Sequence, residues 1–373
     1  MSQIIKTINC LETINSAELV YARQASPAFN FRLNESLNRI SEAVYLALGE
    51  NLIALILGGG YGRGEGGVVY KDGIEQPYND LDLVLVVKEK TRIDYKALHR
   101  ISEKYAKNLG IHVDFSRPLD LKDIQHLPNC LMWQDLLNGH IVIQGDKNIL
   151  NDYAPETLKD KLPVIEASRL LLNRGAGLLW AMRIARKVES GQDSDFIRRN
   201  YYKCALALGD ALLITYRQYQ TAYRGRNQLL ANLAKENAEV AAMNLTGLYN
   251  KALIFKFSPD DISNTTIDEF RLQVLAENWG IVYLHIESYR TRQKFNSLDE
   301  YANWIGIREP QQNTFKYALR NFIRNLQIKK LSLSYPREAL FRTLPILLGV
   351  CHSTVKDWDT ESAKFIEVWR RFN

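Results

Sequence analysis

Three aspartates set against short apolar runs are the residues of this chain best placed to do chemistry. Asp80 and Asp82 open an apolar run that continues to Val87, and Asp114 lies within a second run, Ile111–Phe115. Because side chains alternate between the faces of a strand, Asp80 and Asp82 are predicted to point to one side, about 7 Å apart at their Cα atoms. Two carboxylates on one face repel each other unless water or a shared divalent cation separates them. Mg²⁺ fits this role, since it binds one or two carboxylates and takes its other ligands from waters and substrate phosphates.

A glycine-rich turn follows the first apolar run, Leu52–Leu57. Seven glycines lie between positions 58 and 67. Glycine adopts positive φ and lets backbone N–H groups approach a ligand closely, and clusters of such groups favour phosphates. A phosphate-binding turn beside a pair of metal-binding acids is the equipment for phosphoryl or nucleotidyl transfer.

The same residues allow two other interpretations. In one, the glycines form an ordinary turn and the aspartates are solvated strand ends. In the other, Gly62-x-Gly64-x-x-Gly67 is a dinucleotide-binding fingerprint, which requires a helix directly after its last glycine. The segment VVYKDG follows instead, so the dinucleotide site is disfavoured.

The segments GGYGRGEG, NDLDLVLV and HVDF, in this order, resemble the nucleotidyltransferase (DNA polymerase beta-like) superfamily, in particular its small bacterial branch with a C-terminal helical domain. The resemblance implies that Gly59 and Gly60 hold the phosphates of a nucleotide. It also implies that Asp80 and Asp82 bind two Mg²⁺ ions, for which Mn²⁺ can substitute. Asp114 would complete one metal shell and activate the attacking hydroxyl, which makes all three aspartates candidate catalytic and metal-binding residues.

Arg63 and Lys203 are the remaining candidates for nucleotide binding. Arg63 belongs to an Arg-Gly-Glu run that is common in the same branch, and the resemblance implies that a basic residue of the helical domain contacts the triphosphate. Lys203 lies four residues after Arg199, on one face of a helix predicted from Asp195 to Tyr223. The alternative for Lys203 is a solvated helix face. Asp210, in an apolar part of this helix, is interpreted either as a buried acid that binds an amine of the substrate or as a surface acid.

Two departures from the family pattern concern the phosphate-binding turn. Gly60 stands where the family has a serine whose hydroxyl contacts a phosphate, so this contact is expected from the backbone. An insertion, VVYKDGIEQPYN, separates the turn from Asp80. It is predicted to form a hairpin that turns at Lys71-Asp72-Gly73 and is a candidate lid or substrate lip.

The order of the apolar runs predicts an α+β protein of two domains. An N-terminal nucleotidyltransferase domain, 1–155, would hold a small mixed sheet flanked by helices. Residues 156–373 would form an all-α bundle that clamps substrate and nucleotide, since their apolar residues recur with helical period. A helix capped by Asn34 and running to about Leu48 would lead into the first strand. A last strand at His140–Ile143 is expected at the edge of the sheet.

Composition and charge narrow the classes of partner. Of 373 residues, 46% are hydrophobic and 24% charged, as is ordinary for a globular protein. The sequence contains neither an apolar run of membrane-spanning length nor a secretory signal pattern, so a cytoplasmic location without a membrane partner is expected. Four single cysteines disfavour zinc and redox motifs. Residues 1–150 carry a net charge of about −2 and residues 151–373 about +8, so the second half is the one that could attract ATP or an RNA backbone.

The predicted function is a Mg²⁺-dependent nucleotidyltransferase that moves a nucleoside monophosphate, AMP from ATP in the first instance, to a hydroxyl of a small molecule or a protein. The residues do not distinguish ATP from another nucleoside triphosphate, and they specify no oligomeric state. A nucleic-acid acceptor is not favoured, because the helical half lacks a dense basic stripe. The alternatives are a non-catalytic nucleotide-binding or antitoxin-like interaction protein, and an enzyme that adds nucleotides to RNA 3′ ends, whose RNA binding would depend strongly on salt.

Overall fold

Four strands in the N-terminal half form one mixed sheet in a computed structural model that describes residues 19–187, 194–262 and 264–372. The strands are β1 (Leu52–Leu57), β4 (Leu81–Val87), β5 (Val113–Phe115) and β6 (Ile141–Gln144). Their order in the sheet is β5-β4-β1-β6, with β1 antiparallel to both of its neighbours and β4 parallel to β5. The predicted edge strand is thus confirmed.

The insertion after the glycine turn forms a separate two-stranded sheet. β2 (Val68–Lys71) pairs antiparallel with β3 (Ile74–Pro77). Asp72 and Gly73 connect the two strands with φ angles of 53° and 76°, the left-handed pair that suits a tight two-residue hairpin turn. The predicted hairpin is confirmed, and its role as a lid stays a prediction.

Apolar side chains cover both faces of the four-stranded sheet. On one face Leu57 and Leu85 belong to a core that includes Leu37 of the helix before β1. On the other face Ile56 belongs to a core that includes Ile124. Burial on both faces explains why the strands appear in the sequence as continuous apolar runs. The helices of this half are α1 (Pro27–Leu48), α2 (Gly59–Gly62), α3 (Tyr95–Leu109), α4 (Leu121–Gln125), α5 (Leu131–Asn138) and α6 (Ile149–Tyr153), with 3₁₀ turns at Gly49–Asn51, Lys90–Arg92 and Glu156–Lys159.

Helix α1 begins earlier than the sequence analysis predicts. Ser26 caps it by accepting a hydrogen bond from a first-turn amide, and Pro27 occupies the first helical position. Asn34, the predicted cap, is buried within the helix, where the Tyr21 hydroxyl donates to its Oδ1 at 2.7 Å. The predicted end at Leu48 is confirmed.

The chain divides into two compact units. The first contains the described residues up to Asp160 together with Lys256–Asp261, and the second contains Lys161–Phe255 and the residues from Ile262 onward. All regular elements described in the second unit are helical. They are α7 (Ile165–Ala185), α8 (Ser194–Thr215), α9 (Arg226–Glu236), α10 (Ala238–Ala242), α11 (Thr246–Phe257, whose last two residues belong to the first unit), α12 (Glu269–Thr291), α13 (Leu298–Asn303), α14 (Ala318–Leu326), α15 (Arg337–Leu347) and α16 (Trp358–Phe372), with 3₁₀ turns at Pro259–Ile262 and Phe315–Tyr317. The protein is therefore α+β, as predicted.

Helix α8 ends earlier than predicted, at Thr215 rather than Tyr223. Arg217 has a φ of 60°, which a right-handed helix cannot contain. The amide of Gln218 closes the helix end by donating to the carbonyl of Leu213 at 2.8 Å. The aromatic and basic residues after Thr215 therefore do not continue α8.

Asp210 is buried in α8 and is paired inside the second unit. Its Oδ2 lies 2.8 Å from Nη1 of Arg226, and its Oδ1 accepts a hydrogen bond from the Tyr249 hydroxyl at 2.6 Å. The Arg226 guanidinium is itself fully buried and also donates to backbone carbonyls. The surface position considered for Asp210 is therefore wrong, and its carboxylate serves the helical core.

Candidate functional site

The register between β4 and β5 brings two of the three aspartates side by side. Asp82 and Asp114 are direct Cα partners in this parallel pair, so both side chains leave the sheet on the same face. Leu81 and Val113, one position earlier on each strand, are buried. The strands thus anchor their apolar residues in the core and present two carboxylates together at an exposed position.

Asp80 stands one residue before β4. Together with Asp82 and Asp114 it forms a cluster of three aspartates, which is called the acidic group below. The pKa of Asp114 is raised, first by partial removal of water around its carboxylate and then by the negative charge of Asp80, while His112 acts in the opposite direction. One oxygen of Asp80, Oδ1, is buried and has no hydrogen-bond partner among the described residues. Burial of such an oxygen without a partner costs free energy that a cation would recover.

The glycine turn contacts the acidic group. The amide of Gly58 donates to the carbonyl of Asp82 at 2.8 Å, which joins the end of β1 to the start of β4. Gly59 has a φ of 61°, and a Cβ on it would overlap the Asp82 carboxylate, so only glycine permits both the backbone conformation and the close approach. Helix α2 begins at Gly59, so the first amides, including that of Gly60, have no carbonyl of the helix to bond.

Tyr61 holds the far end of the turn. Its ring is fully buried, and its hydroxyl donates to the Gly67 carbonyl at 2.7 Å and accepts from the Tyr78 amide at 2.9 Å. The Gly67 amide donates to Oδ1 of Asn79 at 2.6 Å. These bonds tie the two ends of the hairpin insertion together directly before Asp80, so the longer connection does not loosen the acidic group.

Arg63, a predicted nucleotide ligand, forms ion pairs within the first unit. Its Nε lies 3.6 Å from Oε2 of Glu65, and its Nη1 lies 3.9 Å from Oδ2 of Asp135. Only 11% of the Arg63 side chain is exposed, and Glu65 is buried. A buried carboxylate needs its cation, so Arg63 helps to hold the turn. Its contact with a nucleotide stays a prediction.

A lysine that the sequence analysis missed lies at the glycine turn. The Nζ of Lys256, in the last turn of α11 and part of the first unit, stands 3.5 Å from the position that a Cβ of Gly60 would take. Gln24 fixes this approach by donating to the carbonyls of Gly66 and Phe257 at 2.6 and 3.0 Å. An ammonium group at a glycine-rich turn favours an anion. A single lysine in the apolar segment LIFKF carries no motif that could have revealed this.

Lys203 lies at an exposed position of α8 in the second unit. Arg199, which precedes it by one helical turn, forms an ion pair with Asp195 at 2.7 Å. The predicted contact of Lys203 with a triphosphate stays a prediction.

The donor set of the acidic group suits Mg²⁺ that is shared with a substrate. Among the described residues, no set of three or more Asp, Glu, His or Cys side chains is arranged to hold a metal ion by itself. Mg²⁺ requires only one or two protein carboxylates when waters and phosphates supply the other ligands. The facing Asp82 and Asp114, with the unsatisfied Oδ1 of Asp80, offer oxygen donors of this kind.

The raised pKa of Asp114 provides a test of the grouping. Asp80→Asn removes a negative charge that disfavours ionisation of Asp114, so the pKa of Asp114 is expected to fall. Carboxyl carbon NMR shifts, followed through a pH titration, measure this change. Asp72→Asn, in the exposed hairpin turn, is the matched control and should leave the titration of Asp114 as it is. An unchanged pKa in Asp80→Asn would mean that the two carboxylates do not interact.

No model of a protein family matches the chain, and a search of the curated proteins found no match. Within the part of the chain that the structure describes, no helix has both the length and the apolar character needed to cross a membrane. Because the two searches found no match, a hypothesis about function depends on the sequence motifs and on the geometry of the site.

Proposed function

We propose that this protein is a Mg²⁺-dependent nucleotidyltransferase that transfers a nucleoside monophosphate, AMP from ATP in the first instance, to a hydroxyl group of a small molecule or a protein. One observation carries the proposal. Gly59 lies directly against the carboxylate of Asp82, and Asp82 faces Asp114 across two parallel strands. A phosphate-binding turn in contact with paired acids is what nucleotidyl transfer requires.

The groups at the turn divide into phosphate and metal ligands. The amides of Gly59 and Gly60 and the ammonium group of Lys256 would hold the β- and γ-phosphates. Asp80 and Asp82 would hold Mg²⁺, which when bound neutralises phosphate charge and aligns the attacking and leaving oxygens.

Asp114 would complete one metal shell and accept the proton of the attacking hydroxyl. Partial desolvation and the neighbouring Asp80 raise its pKa, and a carboxylate with a raised pKa is the stronger base once it is ionised. The hydroxyl oxygen then attacks the α-phosphorus, and the bond to the leaving pyrophosphate breaks.

The proposal assigns a role to each half of the chain. Residues 1–155 would be the nucleotidyltransferase domain, and residues 156–373 would clamp substrate and nucleotide, with Lys203 as a further triphosphate ligand. Such an enzyme would work in the cytoplasm, where ATP and Mg²⁺ are plentiful.

Labelled ATP tests the proposal. With Mg²⁺ and a panel of hydroxyl acceptors (amino sugars, and peptides containing Ser, Thr and Tyr), label at the α-phosphate should pass to an acceptor as pyrophosphate is released. Label at the γ-phosphate should remain with pyrophosphate. If the wild type and Asp80→Asn bind and turn over the nucleotide equally, the proposal is wrong.

Lys256→Met is expected to weaken the binding of Mg²⁺-ATP by about ten- to a hundredfold, because a charge-assisted hydrogen bond contributes about 1.5–3 kcal/mol. Methionine keeps most of the apolar stem, so the fold should be retained. Calorimetric titration with ATP measures the effect, with the exposed Lys251→Met of the same helix as control. Equal ATP affinities of these two variants would show that Lys256 does not contact the nucleotide.

A non-catalytic nucleotide-binding protein is the second candidate. Gly60 in place of a hydroxyl-bearing residue favours it. Such a protein would bind ATP without releasing pyrophosphate, and Asp114→Asn would leave its affinity unchanged. The labelling experiment therefore separates the two candidates.

A further inference from the structure

Helix α14 of the second unit exposes its apolar face and buries a polar one. Leu319, Ile323 and Leu326 recur at helical spacing and are 72%, 52% and 47% exposed, whereas Asn321 and Asn325 are buried. A helix on the surface of a globular protein normally does the reverse. The exposed stripe therefore needs an explanation other than folding of its own unit.

The two asparagines fix this orientation through hydrogen bonds to loops. Asn321 Nδ2 donates to the carbonyl of Gln312 at 2.8 Å. Asn325 Nδ2 donates to the carbonyls of Ser332 and Ser334 at 2.9 and 2.7 Å. Rotation of the helix to turn the apolar stripe inward would break these hydrogen bonds. The hydrogen bonds therefore fix the outward orientation of the stripe.

A groove of about 550 Å³ lies beside this helix. Apolar side chains of Ile305, Ile307, Phe315 and Leu333 line it together with Lys330, Arg342 and Glu338. The Glu338 carboxylate accepts hydrogen bonds from the backbone amides of Arg308 and Glu309 and is thus engaged within the fold. Phe315 and Ile305 are 99% and 92% exposed. Apolar surface this open is typical of sites that bind another molecule.

The loop that carries Ile305 is held rigidly. The buried guanidinium of Arg308 donates to the carbonyls of Tyr301, Trp304 and Gly306 at 2.6, 3.0 and 3.0 Å. These hydrogen bonds hold the backbone around the exposed Ile305. The binding of a partner there would therefore cost little additional conformational entropy of this loop.

The charge of this surface selects its partner. Residues 311–336 contain no Asp or Glu and five basic residues, namely Lys316, Arg320, Arg324, Lys329 and Lys330. A second copy of the same surface would bring like charges together. A nucleic acid supplies anions but no aliphatic groups to cover the leucines and isoleucines, and a flat bilayer does not fill a concave groove.

We propose that α14 and the adjoining groove, within residues 305–342, form a docking surface for an acidic segment of a partner protein. The segment would insert aliphatic or aromatic side chains into the groove between Phe315 and Leu333. Its carboxylates would pair with the basic residues on either side, in the manner of an amphipathic helix bound in a groove. This surface goes beyond the proposed catalytic site and is independent of it.

Selection from a random peptide library on the immobilised full chain tests the docking surface. Enriched peptides are expected to combine Asp or Glu with Leu, Ile or Phe anchors at helical spacing. Their affinity should fall at least about tenfold in the double variant Phe315→Ser with Leu333→Ser, because central apolar anchors dominate such interfaces. Lys329→Glu with Lys330→Glu should also weaken binding, and salt should do the same in the wild type.

Matched variants of the same helical unit serve as controls. Phe270→Ser removes an aromatic side chain that is 75% exposed elsewhere, and Lys235→Glu reverses an exposed charge on α9; both should leave peptide affinity unchanged. The proposal is overturned if no acidic peptides are enriched, or if the groove variants bind them as the wild type does. It is also overturned if the chain instead binds vesicles of anionic phospholipid with the same dependence on Phe315.

Discussion

Asp82→Asn is expected to lower the rate of nucleotide transfer by at least about three orders of magnitude. The side chain lies between the glycine turn and Asp114, where a single carboxylate would serve both the metal and the alignment of the phosphates. Loss of a metal contact is worth several kcal/mol in the transition state, and each 1.36 kcal/mol is a factor of about ten in rate. Pyrophosphate release at saturating ATP and Mg²⁺ measures the change.

The substitution is nearly isosteric and concerns an exposed strand position, so the thermal midpoint should stay close to that of the wild type. Asp72→Asn is the control for loss of one exposed carboxylate, because asparagine also tolerates the positive φ at that position. If Asp82→Asn retains most of the wild-type rate while Asp72→Asn also does, the acidic group is not the catalytic centre.

Gly59→Ala is expected to reduce the same rate by about two orders of magnitude. An alanine Cβ would occupy the place of the Asp82 carboxylate, which would have to rotate away from the turn. Displacement of a reacting group by about 1 Å can cost a factor of about 10² in rate. The carboxylate is the movable end of a side chain, so the loss should appear in activity more than in stability.

Gly110→Ala separates this effect from backbone strain. Gly110 ends α3 with a φ of 68°, close to the 61° of Gly59, and a Cβ there would meet nothing within 4 Å. Both variants should lose about 1–2 kcal/mol of folding free energy from the left-handed conformation alone, as urea unfolding would show. Only Gly59→Ala should lose activity. Equal rates for the two variants would show that the glycine turn is not part of the catalytic site.

Local sequence patterns predicted the framework of the candidate site well. The apolar runs around Asp82 and Asp114 form strands, as predicted, because each is short, apolar and bounded by turn residues. The Asp72-Gly73 pair marked its hairpin turn correctly, since few other residue pairs accept two positive φ angles.

Long-range contacts were beyond the sequence patterns. Lys256 lies close to Gly60 only in the folded structure. No spacing of residues along the sequence indicates this contact. The helix beginning at Pro27 was missed because Asn34 is also a good cap by type, and only its burial against Tyr21 excludes it. Likewise, the pairing of Asp210 with Arg226 depends on tertiary packing between helices.

Calorimetric titration with ATP, in the presence and absence of Mg²⁺, tests most directly whether the acids and the glycine turn form one site. The account predicts that Mg²⁺ tightens ATP binding to the wild type at least about tenfold and that Asp82→Asn abolishes this difference. ATP binding that is equal with and without Mg²⁺, or a Mg²⁺ effect that survives in Asp82→Asn, would contradict it.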